Sequence, residues 1–200
     1  MLKYNDKVII RHVTNAVPAG NLAVITGDGF KNARVFANKL GASSDIIKAA
    51  LKAGKNIKDM NFASGADIEL EVIKNSDNHV LTVKTPEGAF SGWQIVIKSE
   101  DGESVPFNMN VPEYKWIQND IITAGGEIRI FGHCFAAPDC FDLSGEEVHG
   151  YGKMLTSGHG VSVFLRDSKD CIYDLEVKAA SCYEVRAAVP QTAACGKCTV

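Results

Sequence analysis

Residues 1 to 133 contain no cysteine; Cys134, Cys140, Cys171, Cys182, Cys195 and Cys198 all follow. Any thiol, disulfide or metal role is thereby confined to the last third of the chain, and the shift in composition supports a domain boundary before residue 134. Basic residues are not in excess. The formal net charge is -3, and lysines alternate with acids, as in Lys98-Ser99-Glu100-Asp101. That balance argues against nucleic-acid binding, which needs a clustered basic face. No apolar run approaches the roughly 18 residues that span a bilayer. The opening stretch MLKYNDKVII has charges on both sides of a short apolar run and no small-residue cleavage site. No signal peptide is visible, so the chain reads as cytoplasmic as it stands and as extracellular if a leader has been removed. Aromatic residues are few, at 8%, with two tryptophans, Trp93 and Trp116.

What the chain does contain is a repeat. Val13 to Phe30 and the stretch ending at Phe135 share a layout at an offset of 105 residues: Ala19-Gly20 answers Ala124-Gly125, Ile25 answers Ile130, Gly27 answers Gly132, and Phe30 answers Phe135. A second match, at offset 104, lays Pro86–Val96 over Pro190–Val200, with Gly92 over Gly196. Between the matches lie short alternating segments such as Ala66–Ile73, His79–Lys84, Trp93–Lys98 and Glu127–Phe131, separated by Gly, Pro and Asn turns. Such segments read as strands. One stretch departs from this pattern. Ser44-Asp45 followed by IIKAALKAG has the N-cap, the helical apolar spacing and the C-terminal glycine of a short helix near 45–53.

The reading is all-β: two tandem immunoglobulin-like β-sandwiches, residues 1–111 and 112–200, with the helix inserted in the first. In the first copy the strand after Pro86 continues, turns at Gly102 and is followed by another near 105–110. The second copy reaches only Val200, so the register predicts a second sandwich truncated at its C-terminus.

Two stretches resemble a known family. The junction Asn110-Val111-Pro112-Glu113-Tyr114-Lys115-Trp116-Ile117-Gln118, with TAGGEIRIFGHCF after it, resembles the linker and second-domain start found ahead of pectate-lyase-superfamily proteins. The turn Thr85-Pro86-Glu87-Gly88-Ala89-Phe90-Ser91-Gly92-Trp93 resembles the Pro, Gly, alternating-strand signature of their sandwiches. In those bacterial proteins two immunoglobulin-like or TIG-like sandwiches precede a right-handed parallel β-helix that cleaves polysaccharide. The resemblance implies a non-catalytic accessory region that packs against or orients a downstream catalytic β-helix. No catalytic residue is carried over, because the family's lyase or hydrolase residues belong to the β-helix, and no cofactor is implied.

Side chains with chemical potential are few. Carbohydrate-binding sandwiches stack sugars on exposed aromatic rings, which makes Trp93, Tyr114 and Trp116 candidates; a core role for Trp93 and an interface role for Trp116 compete with that reading. His133, Cys134, Cys140, Cys195 and Cys198, with His149 and His159, could be assembled into a zinc site, which wants four N or S ligands. Free thiols packing as small hydrophobes, or disulfides, are the alternatives. A Cys–His dyad at His133-Cys134 is disfavoured because neighbours on a strand point to opposite faces. Gly27-Asp28-Gly29 reads as a turn rather than a phosphate loop, since no helix follows. Asp139, Asp142, Glu146 and Glu147 lack EF-hand spacing for calcium. The expected function is thus accessory; the alternatives are a carbohydrate-binding or adhesion module, and a metal- or thiol-dependent activity in the cysteine-bearing half.

Overall fold

Period-two alternation becomes strand wherever it is strongest. In Leu22–Asp28 the residues Ala23, Ile25 and Gly27 point inward, and in Glu127–His133 the residues Ile128, Ile130 and Gly132 do the same. The structure is a computed structural model and describes residues 7–41, 44–55, 62–88, 91–118, 121–136, 154–156 and 160–200. Its elements are β1 (Ile9–Val13), β2 (Leu22–Asp28), β3 (Arg34–Lys39), α1 (Ser44–Lys52), β4 (Ile68–Leu70), β5 (Val72–Ser76), β6 (Val80–Lys84) and β7 (Trp93–Ser99). There follow β8 (Gly102–Glu103), β9 (Phe107–Met109), β10 (Glu113–Gln118), β11 (Glu127–His133), β12 (Val163–Arg166), β13 (Ile172–Ala180) and β14 (Glu184–Ala188). The protein is an all-β sandwich fold, as its alternation predicts, with one short helix among the described residues. Among the described residues no helix is long and apolar enough to cross a membrane.

The chain divides into two units, Met1–Gly41 with Phe62–Val111, and Ala42–Asn61 with Pro112–Val200. In the first, the antiparallel sheet β1-β2-β6-β5 faces a second sheet, β4-β3-β7-β8, with β9 also paired to β7. Their inner faces meet in one core. Ala23, Ile25, Leu81 and Val83 come from one sheet, and Val35, Ala37, Ile95 and Ile97 from the other. The alternating run Ala66–Ile73 is not one strand: it breaks at Glu71, with β4 on β3 and β5 on β6. The chain crosses the sandwich there, and the Glu71 carbonyl still accepts a bond from Lys84 N at 3.0 Å. Trp93 is 7% exposed and belongs to this core, which removes it from the carbohydrate candidates. Trp93→Ala leaves a large void and is expected to destabilise the first unit by about 3–5 kcal/mol in urea denaturation.

In the second unit a five-stranded antiparallel sheet runs β10-β11-β14-β13-β12. Its first four strands follow the order β1-β2-β6-β5, and the registers agree. Ile25 pairs with Leu81 as Ile130 pairs with Val185, and Ala23 with Val83 as Ile128 with Ala187. The glycine–phenylalanine match has a steric cause. A Cβ on Gly27 would stand 1.9 Å from Ile9 O and 2.6 Å from Phe30 Cζ; on Gly132 it would stand 1.9 Å from Glu113 O and 2.7 Å from Phe135 Cζ.

Two expectations are corrected. Pro190–Val200 is not the strand its match to β7 predicts; its ladder contact is a single bridge, Thr199 to Arg166. Over Trp93-Gln94-Ile95-Val96 of β7 the segment has Lys197-Cys198-Thr199-Val200, so the inward Trp93 and Ile95 are replaced by the polar Lys197 and Thr199. The helix forms within a residue of its expected bounds, but it groups with the second unit rather than the first. Gly54 N bonds Leu51 O and Lys55 N bonds Ala50 O, both at 3.0 Å, closing α1 at a glycine with φ of 68°. Arg166 Nη2 donates to the same Leu51 carbonyl at 2.6 Å.

Candidate functional site

The outer face of β10, β11 and β14 gathers the side chains that the second core, built around Ile128, Ile130, Leu165, Leu175, Val185 and Ala187, does not use. Trp116 lies opposite Phe131 across a ladder that shifts register between Tyr114 and Trp116. The two rings stack with centroids 4.1 Å apart and planes 10° from parallel, while Trp116 remains 52% exposed. The Arg129 guanidinium is 5.2 Å from the Phe131 centroid. At the far end of β11, His133 meets Tyr183 edge to face at 5.5 Å. Phe131 and His133 are two residues apart on one strand, so their side chains share a face at a spacing of roughly 7 Å. Tyr114 is 57% exposed, but its partner is Gly132, a core-face position, so it stands outside the Trp116 platform.

Beside the rings runs a fixed polar row. Arg129 donates through Nε to Glu184 Oε1 at 2.6 Å and through Nη1 to Gln118 Oε1 at 2.8 Å, and Arg186 Nε donates to the same Glu184 oxygen at 2.8 Å. The Arg129 bond, helped by Arg186 and opposed by partial burial, holds the Glu184 carboxyl below the usual glutamate range. Glu184 in turn raises Arg129, so this pair is held in its charged form at neutral pH. Its remaining guanidinium N–H groups are oriented donors next to an apolar ring face.

The first unit shows that the fold does not require this face. By register, the Trp116–Phe131 pair corresponds to His12 facing Thr26, and Arg129–Arg186 corresponds to Val24 facing Thr82. Glu184 takes the place of Val80. Where the second unit has His133 and Tyr183, the first has Asp28 and His79, with His79 Nδ1 3.1 Å from Asp28 Oδ1 and Arg11 paired to the same carboxylate. The backbone frame is shared and the outward side chains have changed character.

Among the described residues no group of three or more His, Cys, Asp or Glu side chains could hold a metal ion. Cys140, His149 and His159 lie outside the described residues, as do Asp139, Asp142, Glu146 and Glu147. Cys134 is 2% exposed, with φ of 58°, in the place where the first unit has Gly29 at 78°. His133 instead turns outward to Tyr183. Cys182 is also buried, and Cys171, Cys195 and Cys198 are exposed; the expectation of mostly buried thiols therefore fails for three of these five.

The segments that carry the exposed thiols meet at a carboxylate. Asp167, 4% exposed, accepts from Lys169 N and Cys171 N at 2.9 Å, and from Ala194 N and the Tyr173 hydroxyl at 3.0 Å. Burial alone would raise its carboxyl, but the three backbone donors and Tyr173 outweigh burial and leave it below the ordinary 3.8. Tyr173, bonded to that carboxylate, is pushed up to about 12. A depressed folded value stabilises the fold fully above 3.8, and that contribution is lost as pH falls through the folded value. Asp167→Asn is expected to lower the melting temperature at pH 7 and to flatten its fall between pH 5 and pH 2, read in thermal melts across that range.

No family model and no curated protein matches the chain. Among solved structures it is similar to a protein crystallised with xylogluco-oligosaccharide, at 13% identity and a TM-score of 0.38, covering 92% of this chain and 35% of that one. It is also similar to SGBP-B of a complex xyloglucan utilization locus in Bacteroides uniformis, at 12% identity and a TM-score of 0.32, covering 96% and 44%. The chain thus spans less than half the length of either protein.

Proposed function

We propose that this protein is a non-catalytic carbohydrate-binding module whose ligand lies on the outer face of β10, β11 and β14. The observation that carries the reading is Trp116. It is a half-exposed indole stacked on Phe131 beside the Gln118–Arg129–Glu184–Arg186 row, on a face where the equivalent sheet has His12, Thr26, Val24, Val80 and Thr82. A flat aromatic ring matches the apolar C–H face of a pyranose, and fixed polar donors beside it suit the hydroxyls at the sugar's edge. This is a binding role with no chemistry of its own. It fits the accessory position that the pectate-lyase-superfamily resemblance implies, with the face turned to glycan rather than to a catalytic domain.

The test is affinity gel electrophoresis and calorimetry of the full chain against a glycan panel that includes xylogluco-oligosaccharides, other β-glucans and pectins. Retention by at least one polysaccharide, relieved by its free oligosaccharide, is expected. Absence of retention across the panel would overturn the reading in favour of a protein-facing surface.

A further inference from the structure

The segment after Pro190 is pinned to the loop Arg166–Cys171 at successive points. Ala194 N donates to Asp167 Oδ2 at 3.0 Å, and Ser168 Oγ donates to the Cys195 carbonyl at 2.7 Å. Arg166 and Thr199 exchange two backbone bonds, at 2.8 and 2.9 Å. Cys195 and Cys198 therefore sit between fixed points, Ala194 on one side and Thr199 on the other. Between them Gly196 has φ of 130°, which L side chains rarely adopt, and a Cβ there would stand 2.7 Å from Ser168 Cβ. The turn brings Cys198 Sγ to 3.5 Å from Gly196 O, back over the four-residue loop. Both thiols are exposed and neither belongs to the second core.

We propose that Cys195 and Cys198 form a thiol–disulfide exchange site whose substrate is a low-molecular-weight disulfide. The thiolate of one cysteine attacks a sulfur of the small disulfide; a protein–small-thiol bond forms and one small thiolate leaves. The second cysteine, as thiolate, then attacks the protein sulfur of that mixed disulfide. The Cys195–Cys198 bond forms and the second small thiolate leaves. The protein pair gives up two electrons, the small disulfide takes them, and the two protons released by the cysteines end on the departing thiolates or on buffer. Anchoring both flanks of the loop favours closure, because little chain freedom remains to be lost. Cys171, exposed on the neighbouring loop, is instead bonded to the Tyr173 side chain, with its Sγ 4.0 Å from Lys169 O.

The experiment incubates the full chain with glutathione disulfide, alkylates the remaining thiols and maps peptides. The expected result is loss of alkylation at Cys195 and Cys198 together, with a linkage between them. Trypsin cleavage after Lys197 should then leave the two fragments joined. Cys198→Ser should stop the reaction at a glutathione adduct on Cys195, and Cys171→Ser should change nothing. Continued alkylation of both cysteines, or a linkage from either of them to Cys171, would overturn the proposal.

Discussion

Trp116→Ala weakens binding to the glycan that retains the wild-type chain by roughly 30-fold or more, while stability changes by no more than about 1 kcal/mol. The two halves of this expectation rest on different observations. Binding depends on the indole because it is the large aromatic surface that is both half-exposed and held in place, its plane fixed by Phe131 at 4.1 Å. Stability does not depend on it, because the equivalent position of the first unit is His12 facing Thr26 in the same strand order. Phe131→Ala should lower affinity by a smaller factor, since it supports the indole. Tyr114→Ala, a substitution of comparable exposure opposite Gly132, should leave binding unchanged. Isotherms for the three variants, with a urea curve for each, separate the outcomes. Equal losses for Trp116 and Tyr114 would sink the assignment of the ligand to this face.

The internal repeat was legible because it records backbone crowding. Gly27 and Gly132 are held by a neighbouring carbonyl, Phe30 and Phe135 fill the space beside them, and such constraints leave the same letters at a constant offset. The helix was legible from its cap and spacing, but its allegiance was not, because that depends on contacts such as Arg166 with Leu51 that are remote in sequence. Glu71 looked like one more polar position in an alternating run, and alternation carries no sign of a change of sheet. Trp116 was visible as a candidate, whereas Phe131, Arg129, Glu184 and Tyr183 were missed. Phe131 follows Ile130 and reads as part of an apolar run, and pairing it with Trp116 requires the register shift between Tyr114 and Trp116. One signal was available: position by position, the second copy puts Phe131 over Thr26 and Arg129 over Val24, which marks an outer face that has changed while the core has not.

Gly132→Ala is the substitution expected to damage the second unit most, by about 3 kcal/mol or more in urea denaturation. The added methyl would meet Glu113 O at 1.9 Å, and the obstacle is backbone, so no rotamer change relieves it. Either β10 lifts from β11 or the Phe135 ring, 2.7 Å from the same point, is displaced along with it. Since β10 carries Trp116, glycan binding should fall together with stability, unlike the Trp116→Ala result, where only binding falls. Gly27→Ala makes the matching collision in the first unit, with Ile9 O at 1.9 Å and Phe30 Cζ at 2.6 Å. It should destabilise that unit by a similar amount while leaving the binding face in place at temperatures below its melting. A Gly27→Ala chain that loses glycan binding while the second unit remains folded would place the ligand in the first sandwich instead.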